Sequence, residues 1–134
     1  MLKIEHLGIA VKSLERSVPL YEQLLNTPCY KQEIVASEGV STAFFRTGEE
    51  KIELLEATND NSPIAKFIAK KGEGIHHVAF EVENIEAEMK RLAALGFELL
   101  SDVPKNGADN KLVCFLHPKS TNGVLVELCQ EKKN

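Results

Sequence analysis

Apolar positions along this chain recur with two different spacings, and the spacings alternate. Dense runs of Val, Ile, Leu and Phe at residues 4–11 and 75–82 read as strands. Each is followed by a stretch with helical periodicity. In the first, Leu14, Val18, Tyr21, Leu24 and Leu25 share one face, Ser13 is placed to cap the start and Asn26 to take the left-handed turn at the end. Pro19 falls inside this stretch, where it should kink the helix or cost a backbone hydrogen bond. The second helix is expected to start at Asn84, pack through Ile85, Met89, Leu92 and Leu95, and stop at Gly96. Shorter apolar runs come after each helix, at residues 29–36, 40–46 and 51–57, and again at 97–100, 112–117 and 124–130. Residues 102–110, with Pro104, Gly107 and Asn110, read as a loop.

The two halves repeat one another. Ile4-Glu5-His6-Leu7-Gly8-Ile9-Ala10-Val11 aligns with Ile75-His76-His77-Val78-Ala79-Phe80-Glu81-Val82, and the register continues through Leu14 with Ile85 and Val18 with Met89. Lys51-Ile52-Glu53-Leu54-Leu55 likewise resembles Leu125-Val126-Glu127-Leu128-Cys129. The expected topology is therefore β-α-β-β-β, twice, in one α+β domain spanning residues 1–134. Its modules cover about 1–58 and 74–131 and are joined by a short helix at about 62–71. Ser62 as cap with Pro63 at the first helical position is a strong start signal, since Pro lacks an amide that would be unsatisfied there.

Composition narrows the class. The chain has 134 residues, 43% hydrophobic and 27% charged, an ordinary globular balance. Lys plus Arg number 16 against 20 Asp plus Glu, for a net charge of -4, which argues against a nucleic-acid partner. The longest run without a charged residue is eight, residues 23–30, far short of the ~20 a membrane span requires. Lys3, Glu5 and His6 near the start do not fit a secretory leader. Cys29, Cys114 and Cys129, odd in number and without C-x-x-C spacing, point to reduced, packed thiols and a cytoplasmic location.

Four chemistry-bearing residues coincide with the repeat. His6 and His77 sit in the opening strand of each module, and Glu53 and Glu127 in the closing one. A carboxylate in a run such as Val124-Leu125-Val126-Glu127-Leu128 costs several kcal/mol if buried without a partner, so a cation should face it. Two imidazoles and two carboxylates suit a divalent first-row metal. A lone strand histidine is more often an ordinary core or rim residue; four coincidences, two histidines and two glutamates, at matched positions of a duplicated module favour the metal. Strand alternation sends His76 and His77 to opposite faces, and the repeat selects His77. His117-Pro118-Lys119-Ser120 is either a plain turn or a place for a bound anion, and Lys66, Lys70 and Lys71 could meet phosphate, although lysines on a short surface helix are usually just solvated.

The doubled module with His, Glu, His and Glu at these positions resembles the vicinal oxygen chelate superfamily, which includes glyoxalase I. Within it, the segments S-P-I-A-K-F and F-L-H-P-K-S-T-N-G-V-L-V-E-L are similar to those of the methylmalonyl-CoA epimerases. The resemblance runs from residue 4 to 128. It implies a glyoxalase-like fold, a curved mixed sheet around a metal site, with His6, Glu53, His77 and Glu127 as ligands. It also implies an acyl-CoA substrate, a homodimer, and a divalent ion, with cobalt favoured over zinc, nickel or manganese.

Epimerisation at the α-carbon would proceed by proton abstraction and reprotonation through an enediolate, with Glu127 as the expected base. Some epimerases carry a further carboxylate where Thr42 stands, and a hydroxyl cannot act as a base near neutral pH. Glyoxalase I chemistry on a glutathione hemithioacetal, and non-catalytic small-molecule binding on the same fold, are the alternative expectations.

Overall fold

The computed structural model describes residues 1–133. Among them lie eight strands and three α-helices, in an α+β arrangement of two compact units. One unit is His6–His76; the other joins Met1–Glu5 to the segment from His77 onward. Strands β1 (Lys3–Ala10) and β5 (Gly74–Glu81) both run across the division.

In the first unit, β1 pairs in parallel with β4 (Glu50–Ala57), β4 antiparallel with β3 (Val40–Thr47), and β3 antiparallel with β2 (Lys31–Val35). Helix α1 (Leu14–Leu25) covers one face, burying Leu14 with Val11, Ala43, Phe45 and Leu54. The cap is as expected: Ser13 Oγ accepts from the Arg16 amide at 3.3 Å, and Asn26 closes the helix at φ 52°. The helix continues through Pro19, whose missing N–H removes one bond from the ladder. Helix α2 (Pro63–Lys71) packs on the opposite face, joining Ile64 to Ala10, Val40 and Leu55. Ser62 Oγ accepts from the Ala65 amide at 3.0 Å, and Gly72 ends the helix at φ 79°.

The second unit repeats the pattern. Strand β5 pairs in parallel with β8 (Val126–Glu131), β8 antiparallel with β7 (Lys111–Leu116), and β7 antiparallel with β6 (Lys105–Gly107). Helix α3 (Ile85–Ala94), capped by Asn84 Oδ1 on the Ala87 amide at 3.0 Å, buries Ile85, Met89 and Leu92 against Cys114, Leu116, Val126 and Leu128.

One strand lies elsewhere than its sequence suggests. The run 97–100 contributes only an isolated bridge, Leu99 to Leu116, whereas β6 forms inside the stretch that reads as a loop. Lys105-Asn106-Gly107 carries no apolar alternation; it is a hairpin strand made by its turn, in which Asp109 and Asn110 both take positive φ. Gly107 is required there, since a Cβ on it would stand 2.8 Å from Val113 Cγ1.

The first residues belong with the second unit. The Leu2 amide donates to the Glu81 carbonyl at 2.8 Å, and buried Glu5 faces buried Lys111 with Oε2 to Nζ at 4.0 Å. Neither burial was legible from composition, because strand residues of either charge are normally solvated.

Candidate metal centre

The ladder places the same four-residue pattern in each unit. Parallel register sets Gly8 of β1 opposite Glu53 of β4, with His6 two residues earlier on the same face. On the other side of Glu53, antiparallel register sets Phe44 of β3. In the second unit Ala79 of β5 stands opposite Glu127 of β8, His77 two residues earlier, and Phe115 of β7 on the far side. Each carboxylate therefore lies between a small residue and a phenylalanine. The small residue leaves the histidine room to reach across to the acid.

The histidine meets the acid in both cases. His6 Nε2 is 3.3 Å from Glu53 Oε1, and His77 Nε2 is 3.2 Å from Glu127 Oε1. All four residues are buried, at 4% to 6% exposure. Taking a carboxylate this far from water costs several kcal/mol and calls for a cation. The donors fit one: two ligand atoms about 2.1 Å from a divalent ion and at right angles lie about 3 Å apart. The site thus meets the chemical requirements of a metal within each pair. The His77 ring is held edge-on against Phe115, centroids 5.5 Å apart and planes at 86°.

Several other expectations find their places. His76 turns away from His77 as alternation requires, and meets Phe67 of α2 edge-on at 5.0 Å. Thr42 shares the face of Glu53, 1% exposed, and its hydroxyl donates to the Glu33 carbonyl at 2.9 Å. Its single proton is committed to that bond. In the turn 117–120, His117 Nδ1 accepts from the Lys119 amide at 3.1 Å, and Lys119 Nζ pairs with Glu98 at 2.9 Å. That contact holds the Glu98 carboxyl below its ordinary range. The three cysteines are free thiols, Cys114 and Cys129 buried and Cys29 half-buried.

Phe44 and Phe115 went unnoticed in the sequence although a signal existed. The interval between His6 and His77 also separates Gly8 from Ala79 and Phe44 from Phe115.

A profile of the glyoxalase/bleomycin resistance protein/dioxygenase superfamily matches residues 5–115. The chain belongs to this superfamily. Among curated members, the ethylmalonyl-CoA/methylmalonyl-CoA epimerase of Cereibacter sphaeroides is 42% identical over 130 residues, covering 96% of this chain and 97% of its own. The mitochondrial methylmalonyl-CoA epimerase of Homo sapiens is 40% identical over 129 residues, covering 96% and 73%. Among solved structures, a variant of Streptomyces coelicolor methylmalonyl-CoA epimerase in complex with 2-nitronate-propionyl-CoA superposes with a TM-score of 0.96 at 32% identity, covering 99% of both chains. The superfamily fold is therefore the glyoxalase-like one that the doubled module implied.

Proposed function

We propose that this chain is a metal-dependent epimerase that interconverts the (2R) and (2S) forms of methylmalonyl-CoA. The observation that carries the reading is the duplicated, buried His–Glu pair, in a chain that has relatives over nearly its full length named as epimerases of this substrate. We take both modules as one domain and His6, Glu53, His77 and Glu127 as ligands of a single divalent ion. Such an ion, when bound, supplies a Lewis acid that makes the α-proton of the thioester more acidic.

The chain's own residues have defined tasks. The two histidines donate neutral nitrogen, and the Phe115 edge fixes the plane of one of them. Burial of the four groups keeps water from the reacting carbon and strengthens every charge interaction there. Glu127 is the base: its carboxylate takes the α-proton, and the C–H electron pair passes to the thioester carbonyl oxygen. A second acid on the opposite face, neither Glu127 nor Thr42, delivers a proton there to give the other epimer, and the proton held by Glu127 is released to solvent. Thr42 takes no part in proton transfer, because its hydroxyl is bound to Glu33 and is a poor base near neutral pH.

Cobalt is the ion favoured by the epimerase resemblance, which also supports a homodimer. Three free thiols fit a reducing compartment such as the cytoplasm. Deuterium uptake from heavy water into methylmalonyl-CoA, followed with and without a chelator, tests the reading. Exchange that requires metal is expected; a chain that holds metal and gives no exchange would overturn it.

A further inference from the structure

We propose that Lys66, Lys70 and Lys71, on the exposed side of α2, receive the phosphates of the coenzyme A portion of the substrate. The proposal rests on the acyl-CoA reading above and extends it to the nucleotide end of the molecule.

Position is the first argument. The apolar side of α2 packs on Ala10, Val40 and Leu55, residues on the same face of β1, β3 and β4 as His6, Thr42 and Glu53. Leu55 is two residues beyond Glu53 on β4, about 7 Å along the strand. The helix therefore stands at the margin of the face that carries the His6–Glu53 pair, with its lysines turned to solvent. A pantetheine arm spans about as much as four or five extended residues, about 15 Å. A helix of nine residues is about 13 Å long, so a thioester near Glu53 and a diphosphate near Lys70 are compatible lengths.

Charge is the second. Coenzyme A carries a diphosphate and a 3′-phosphate, while the chain's net charge is -4, so its average field repels the ligand. A local cationic cluster must offset that. Some basic side chains elsewhere are engaged by acids, Lys119 by Glu98 at 2.9 Å, Lys31 by Glu33 at 3.4 Å and Arg91 by Glu88, whereas α2 gathers three lysines on one short helix. Among the described residues, no carboxylate lies within ion-pair distance of Lys66, Lys70 or Lys71. The acid that follows them, Glu73, accepts from the Lys12 amide at 2.7 Å.

The third is an aromatic surface beside the charges. The half-buried Phe67 ring lies between Lys71, whose Nζ is 5.8 Å from its centroid, and His76 at 5.0 Å. It offers apolar contact to the arm or the base while the lysines hold the phosphates.

The test replaces all three lysines with glutamine (Lys66→Gln, Lys70→Gln, Lys71→Gln), which removes charge and keeps a good helix former. Binding of coenzyme A and of adenosine 3′,5′-bisphosphate is measured by calorimetry. The proposal expects the triple variant to bind both about tenfold more weakly at low salt, with the difference shrinking as ionic strength rises. The KM for methylmalonyl-CoA should rise in step with kcat unchanged, and turnover of methylmalonyl-pantetheine should not move. Equal binding by both proteins, or no binding of either probe by the unsubstituted chain, overturns the proposal. Lysine-dependent binding without exchange of either thioester supports the subsite and refutes the epimerase reading.

Discussion

Phe115 meets the His77 imidazole edge to face, and the same ladder position in the other unit is held by Phe44 opposite Glu53. An aromatic edge against an imidazole restricts its rotation without competing for Nε2, which remains directed at Glu127. Phe115→Ala should cost about 1–3 kcal/mol of stability, less than a fully buried ring, since Phe115 is only half-buried. It should also weaken divalent metal binding roughly 10- to 100-fold, as loss of an orienting neighbour does. Urea unfolding and metal titration separate the two effects.

Loss of one proposed ligand from either pair should matter comparably, because both pairs bring a histidine Nε2 to 3.2–3.3 Å from a glutamate oxygen. His6→Ala and His77→Ala are each expected to lower bound metal well below one ion per chain, measured by elemental analysis of protein purified without added salt. Proton exchange should fall by at least about 100-fold in both. Glu127→Gln keeps an oxygen able to ligate and removes the proposed base, so on that reading exchange should fall further than metal content does. Exchange that survives in Glu127→Gln would remove that residue from the role of base.

Acid should release the turn that carries Lys119. The Lys119 ammonium beside Glu98 lowers that carboxyl below its ordinary value of 4.5, with His117 adding a smaller pull. A depressed acid contributes its contact above the ordinary value and loses it as pH falls through the lowered one. Lys119→Ala should return the Glu98 titration upward toward 4.5, seen in its side-chain carboxyl resonance by NMR. No upward movement would mean the pair is absent in solution.

Gly39 precedes β3 at φ 65°, and a Cβ there would stand 2.7 Å from Ser62 Cβ, the residue that caps α2. Gly39→Ala is expected to cost about 2–4 kcal/mol, combining left-handed backbone strain with that collision. Ser62→Ala removes only the cap and should cost about 1 kcal/mol. Chemical denaturation of both variants checks the order.

The helices, their caps and the repeat were readable because each rests on local chemistry: Ser13, Ser62 and Asn84 all cap as their positions suggest. The histidines and acids were readable because duplication marks them twice. Strand β6 was not, since Lys105-Asn106-Gly107 is paired by the turn that follows it and carries no hydrophobic period. The phenylalanines beside the acids escaped notice because apolar residues in strands look alike until register shows which one faces a carboxylate. The Glu5–Lys111 contact joins residues far apart in the chain, and no local rule anticipates it.

That contact bears on how the duplicated architecture could be dissected. Two acids face buried Lys111, exposed Glu131 of its own module at 3.9 Å and buried Glu5 of the opening strand at 4.0 Å, and loss of the buried one leaves only a solvent-screened partner. A gene fragment encoding only the second repeat would thus inherit a charge it cannot neutralise as well, whereas one that grafts the first five residues ahead of His77 would restore the partner.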